Sequence, residues 1–193
     1  MASASHYERA FEHLLGRYGM PYVAVDQAKR AAFAGVGLKS FDYIVYPPHR
    51  PCLLVDVKGR KLDARYPVLP GQTWVTTADV EDLAKWQEVF GDGHLAVFVF
   101  AYCVEAESLE AARPAGSGRP RGQGLDTQRL MEFEGLWYSF WVAELAGYRT
   151  CMRPRSAKWQ TVYVPRKLFR AWALELERYL GLASGRRESG CGP

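Results

Sequence analysis

The stretch SFDYIVYPPHRPCLLVDVKGRK, residues 40–61, holds the instructions for a hairpin. Two β-rich runs, Phe41–Tyr46 and Cys52–Lys58, flank the turn-forming Pro47-Pro48-His49-Arg50-Pro51. If this five-residue loop closes symmetrically, Tyr46 opposes Cys52 and Asp42 opposes Asp56. Side chains alternate along a strand, so Phe41, Tyr43, Val45, Leu53, Val55 and Val57 make one apolar face. Asp42, Asp56 and Lys58 then share the other face. A slip of one residue would undo the pairing.

Two facing aspartates violate a local rule. Asp is depleted in strands, and like charges directly opposite destabilise a sheet by up to ~1 kcal/mol. Such a violation marks a candidate functional site. A hard divalent cation, Mg²⁺ or Mn²⁺, would resolve the conflict through carboxylate oxygens. Lys58 adds a point charge able to hold a phosphate or lower the pKa of an attacking water. The combination suits phosphodiester hydrolysis. The competing reading is a solvated face carrying an ion pair worth ~0–1 kcal/mol.

Outward from the hairpin the periodicity predicts the remaining elements. Tyr7, Phe11, Leu14, Leu15 and Tyr18 recur at helical spacing over residues 6–18, and a short strand follows at Tyr22–Val25. A helix runs from about Asp79 to Phe90, stopped by Gly91. The apolar run Leu95–Val104 reads as a strand buried on both faces. Aromatic strands are expected at Trp137–Ala143, Tyr148–Met152 and Thr161–Val164, with a closing helix from about Arg166 to Leu180. The order α-β-β-β-α-β with additions is an α/β core carrying a β-rich C-terminal half. The expected organisation is one domain over 1–183, with its core at about 5–104, a flexible loop at about 106–126 and an extension at about 127–183. The polar tail 184–193 reads as disordered.

The chain has 193 residues, 25 Lys and Arg, and 21 Asp and Glu, giving a net charge of +4. Its length can bury a core without disulfides or metals. No apolar run approaches the ~20 residues of a membrane-spanning helix, and the N-terminus shows no secretory signal. A soluble, cytoplasmic protein without a membrane partner is expected. Cys52, Cys103, Cys151 and Cys191 stand apart, which excludes a CxxC zinc ribbon. The positive charge is concentrated: residues 149–170 carry seven basic residues and no acid. Such a stripe could contact phosphates without reading sequence. Arg155 and Lys158, in the turn RSAK, are its favoured members, and Arg60 on the hairpin is a further candidate. A solvated face would account for some of these charges equally well.

With a helix-borne acid, then Asp, then Asp-x-Lys on a hairpin, the chain resembles the PD-(D/E)XK nuclease superfamily. Its layout is most similar to archaeal Holliday junction resolvases. The opening His6-Tyr7-Glu8-Arg9-Ala10-Phe11-Glu12 also resembles the bacterial HYExAFE family. The resemblance implies a restriction-endonuclease-like αβββαβ core, with a mixed central sheet flanked by helices. It implies a Mg²⁺- or Mn²⁺-dependent endonuclease acting on nucleic acid, DNA first, and a homodimer as one assembly. Glu8, Asp42 and Asp56 become metal ligands, Val57 lends its carbonyl, and Lys58 assists the attacking water. Phe41 stands where the family usually has proline, and Asp56 where glutamate is commoner. A polar residue at the start of the next helix falls nearest Asp79, with Gln87 a weaker substitute.

Some residues keep two readings. Ser5-x-x-Glu8 is also a capping box, in which Glu8 returns to the N-cap backbone. Glu12, one turn on, is a fallback ligand or a solvated glutamate. His6 could support Glu8 or simply lie on the helix. The aromatics could stack on bases, although sheet core accounts for most of them. Beside the nuclease stands an alternative: a catalytically inactive member that keeps the fold to bind nucleic acid or a protein partner.

Overall fold

The computed structural model describes residues 4–25, 39–62, 68–104 and 130–182. The expected loop at 106–126 and the tail at 184–193 lie outside them. The described elements are α1 (His6–Arg17), β1 (Tyr22–Ala24), β2 (Tyr43–Val45), β3 (Cys52–Lys61), β4 (Val75–Thr76), α2 (Thr77–Phe90), β5 (His94–Val104), β6 (Met131–Phe133), β7 (Leu136–Glu144), α3 (Leu145–Cys151), β8 (Arg153–Ser156), β9 (Thr161–Tyr163), α4 (Arg166–Trp172), β10 (Leu174–Glu175) and α5 (Leu176–Tyr179).

A mixed central sheet runs β1-β2-β3-β5-β7-β10, with β6 also paired to β7. β3 and β5 are parallel, joined by the crossover through α2, and the other neighbours are antiparallel. Helices cover both faces, and the expected αβββαβ order of the core is present. Strand β5 shows why its sequence is continuously apolar. Val97, Val99, Ala101 and Cys103 point to the face covered by α1, whereas Ala96, Phe98, Phe100, Tyr102 and Val104 point to the face covered by α2 and α3. Neither face meets water, so alternation of polarity has no role there.

Local signals set the helix ends. At α1 the Ser5 hydroxyl accepts from the Glu8 N–H and the Glu8 carboxylate accepts from the Ser5 N–H, both at 3.3 Å. Ala10, Phe11, Leu14 and Leu15 then bury one face. At α2, Thr76 and Asp79 form the same reciprocal cap, and Gly91, with φ +68°, ends the helix.

The hairpin register is the one expected from the loop: Tyr43 faces Val55, Ile44 faces Leu54 and Val45 faces Leu53. The first strand is shorter than the predicted 41–46. A bend at Asp42 ends the ladder and reverses Phe41, which packs edge-on against Trp86 and Phe90 of α2 instead of joining Tyr43 and Val45.

The C-terminal half departs further from its reading. Residues 148–152, expected as strand, belong mostly to α3, because Leu145 and Tyr148, three apart, bury together on the α2 face. Tyr148 also donates its hydroxyl to the Thr73 carbonyl at 2.6 Å. The single helix expected over 166–180 is broken. Phe169 of α4 packs into one core, whereas Leu176 and Tyr179 of α5 pack into the other. The chain must round the sheet edge between them, and β10 makes that passage by pairing Leu174 and Glu175 with Val142 and Trp141. Thr161–Tyr163 is a strand as expected, but it belongs to a second sheet, β4-β9-β8. Among the described residues, Cys52, Cys103 and Cys151 form no disulfide.

Gly59 of β3 lies directly beneath α1, where a Cβ would come within 2.2 Å of the Tyr7 ring. Gly59→Ala should therefore lift α1 and cost about 1–3 kcal/mol in denaturant unfolding. The double variant with Tyr7→Ala should cost less than the sum of the two single changes.

Candidate functional site

The site lies where β2 and β3 diverge. The Asp42 N–H donates to the Val55 carbonyl at 2.8 Å, and Asp42 Oδ2 accepts from the Val57 N–H at 2.8 Å. Asp42 thus brackets Asp56 from the neighbouring strand. Because the N–H and C=O of one strand residue share an edge, the Val57 carbonyl also turns toward this gap.

Asp56, Lys58 and Arg60 alternate along β3 on the face toward α2, beside the aromatic side chains of β5. Asp56 is 7% exposed. Its Oδ2 lies 2.7 Å from Lys58 Nζ, and the same ammonium lies 3.2 Å from Oδ2 of the buried Asp79 on α2. Asp79 in turn holds Lys39 through its other oxygen and caps the Thr76 N–H at 2.9 Å. Lys39 is fixed at both ends of its backbone, since its N–H donates to Asp82 and its carbonyl accepts from the Trp86 indole. Lys39, Ser40, Phe41, Asp56, Asp79, Asp82 and Leu83 line a hollow over this cluster.

The electrostatics follow from burial and from an imbalance of charge. Three carboxylates, Asp42, Asp56 and Asp79, face two ammonium groups, Lys39 and Lys58. Burial, followed by the charge of Asp56, pushes the Asp42 carboxyl up to about 7, against the pull of the Val57 N–H. Burial also raises Asp56, although Lys58 opposes it. Burial acts upward on Asp79 as well, yet Lys58, Lys39 and the Thr76 cap together hold it below the ordinary carboxylate range. The cluster is one positive charge short, and Asp42 carries the consequence.

Glu8 approaches from the opposite side of the sheet. Its carboxylate takes part in the α1 capping box, and its charge also raises Asp42. The capping-box reading of Glu8 is the one the geometry shows. Glu12 accepts from the Tyr43 hydroxyl at 2.9 Å, and His6 Nδ1 is 2.7 Å from the Tyr138 hydroxyl. Gln87 is committed elsewhere, accepting from the Ala96 N–H at 2.8 Å at the start of β5.

The basic candidates divide. Arg60 is largely enclosed: its guanidinium donates to the Gly59 and Trp74 carbonyls and stacks 4.0 Å from the centre of the Trp74 ring. Arg155 and Lys158 are exposed on β8 and the turn after it, and Arg155 lies 5.0 Å from the same Trp74 ring. The seven basic residues of 149–170 are spread over α3, β8, the turn and α4.

Two partners were not legible in the sequence. Lys39 stands 40 positions before Asp79, and nothing in its surroundings marks it. Asp79 was visible as a polar residue opening α2, but its grip on Lys58 required the crossover that lays α2 over β3. Asp42 and Asp56 offer hard oxygens and a shortage of positive charge, so the donor chemistry fits a divalent cation. Among the described residues, no three His, Cys, Asp or Glu side chains are already gathered into a cage.

No known protein family matches the chain, and no curated protein matches it in sequence. Among solved structures, it is similar to Hjc of Archaeoglobus fulgidus, a Holliday junction resolvase from an archaeal hyperthermophile. The TM-score is 0.48 at 13% identity, covering 91% of this chain and 93% of that one.

The shifts predict how stability depends on pH without metal. Asp42 has its folded-state pKa raised to about 7, so its contribution is present in acid and is lost as pH rises from near 4 through 7. Asp79 is depressed, so its contribution is present at neutral pH and is lost only in strong acid. In EDTA, the melting temperature should fall between pH 5 and pH 8, and Asp42→Asn should flatten that fall.

Proposed function

We propose that this chain is a divalent-metal-dependent nuclease that hydrolyses phosphodiester bonds of DNA or structured nucleic acid. The observation that carries the reading is the convergence of Asp42, Asp56 and Lys58 in a buried cluster short of positive charge. Asp42 and Asp56 would hold Mg²⁺ or Mn²⁺, with the Val57 carbonyl and Glu8 completing the oxygen set. The metal, when bound, supplies an activated water and neutralises charge developing on the phosphate. Lys58, already aimed at Asp56, supplies a fixed positive charge for the attacked phosphate. Asp79 keeps that ammonium oriented from the α2 side. Exposed Arg155 and Lys158 would hold the nucleic-acid backbone. The His6–Glu12 signature supports placing the chain with the HYExAFE proteins of the PD-(D/E)XK superfamily. No described helix is long and apolar enough to cross a membrane.

One observation favours a second reading, an inactive module that binds nucleic acid or protein. Lys58 is shared between two carboxylates, an arrangement that can satisfy a fold without catalysis.

Asp42→Asn separates the two readings. It removes a carboxylate that is already half-neutral near pH 7, so the fold should survive. Incubated with Mg²⁺ or Mn²⁺, the unaltered chain should cleave supercoiled plasmid or branched DNA, and Asp42→Asn should lose at least ~100-fold of that rate. Lys58→Ala should do the same wherever circular dichroism shows it folded. Calorimetric uptake of Mn²⁺ should vanish in Asp56→Asn. Cleavage that survives Asp42→Asn and Lys58→Ala would overturn the mechanism, and absence of any metal uptake would favour the inactive module.

A further inference from the structure

All six tryptophans lie in the described residues, and five are at least partly buried. Trp159 is 69% exposed. It occupies the tip of the β8–β9 hairpin, next to Lys158, whose Nζ lies 5.3 Å from the centre of its ring. Exposing so large an apolar surface works against the hydrophobic effect, and nothing in the fold requires it.

The tip is held firmly. The Trp159 N–H donates to the Ser156 hydroxyl at 3.3 Å, and Gln160 adopts a left-handed φ of 46°. The Gln160 carbonyl accepts from the Thr77 N–H at 2.8 Å and from the Thr77 hydroxyl at 3.2 Å. Thr77 is the first residue of α2, and its neighbour Thr76 forms the cap with Asp79. The hairpin is therefore fastened to the end of α2 that holds Lys58. On its other flank, Arg155 and Arg60 both lie against Trp74, which ties β8 to β3.

We infer that Trp159 is a base-stacking element, and that the nucleic acid it selects carries unpaired nucleotides. The inference rests on the nucleic-acid reading above and narrows its substrate class. Charge complementarity identifies the occupant: Lys158 lies against the ring, and Arg153 and Arg155 precede it on exposed β8, in a segment without a single acid, which suits a phosphate backbone. A flat, exposed indole beside a row of cations is the arrangement that binds single strands, since every base has a stackable face. In a closed duplex the bases are already stacked on one another, and the ring gains nothing from them.

Binding in EDTA tests this without recourse to catalysis. Two fluorescein-labelled probes are titrated by anisotropy at low salt: oligo(dT) of about 20 nucleotides and a blunt duplex of similar length. Trp159→Ala should weaken oligo(dT) binding roughly tenfold and leave duplex binding within about twofold, while Trp159→Phe keeps most of the affinity. Oligo(dT) should also quench tryptophan emission, and Trp159→Ala should remove most of that quenching. Equal losses on both probes, no loss on either, or a chain that binds neither probe would overturn the inference. So would Trp159→Ala turning a dimer into a monomer with oligo(dT) affinity intact, since the ring would then serve a second copy of this chain. Lost cleavage with selective oligo(dT) binding would sink the nuclease reading alone.

Discussion

Lys58 between Asp56 and Asp79 is the contact on which the molecule turns. A buried ammonium shared by two carboxylates ties the central strand β3 to the start of α2, and so fixes the parallel crossover that connects β3 to β5. Removing one member of such a set leaves uncompensated charge in a low-dielectric interior, at a cost of about 3–5 kcal/mol. The arrangement stabilises the fold only because further donors satisfy it: Lys39 and the Thr76 N–H on Asp79, and the Val57 N–H on Asp42. Even so it falls short of neutrality. The residues that stabilise the fold are also those that would hold the proposed cation.

The hairpin was readable because two signals agreed. A proline-rich loop of defined length and alternating apolar residues both demand the register in which Tyr43 opposes Val55, and the ladder has it, although the bend at Asp42 ends the pairing before Asp42 comes opposite Asp56. The capping pairs Ser5–Glu8 and Thr76–Asp79 also depend only on neighbours in sequence. Phe41 escaped because a bend at Asp42 interrupts strand alternation. Tyr148 and the segment after Trp172 escaped because their conformations are decided by which face of the sheet they fill. A run such as Tyr-Arg-Thr-Cys-Met has local preferences for strand that burial of Leu145 and Tyr148 overrides. Lys39 escaped for the plainest reason: an ion pair across 40 residues leaves no periodic trace.

The two halves of the chain divide the labour. The N-terminal half assembles a compact acidic cluster from strand, hairpin and helix cap. The C-terminal half adds β8 and β9, which complete a small sheet on β4, the strand that leads straight into α2, and their hairpin carries cations and an exposed indole. The join between them is short, because the Gln160 carbonyl lies on Thr77 and Asp79 lies half a turn further along the same helix. On the proposed reading, this one helix terminus would join the nucleic-acid surface to the reacting groups.

The outer edge of β7 is covered in two instalments. β6 pairs with Leu136, Trp137 and Tyr138, and β10 pairs with Trp141 and Val142. Neither cover exceeds three residues, yet together they leave little of this apolar strand open to recruit a strand from another molecule. The opposite margin differs: β1 is a three-residue border with Val23 half-exposed, and no described strand lies beyond it. Among the described strands of the central sheet, β1 is thus the margin with the least cover.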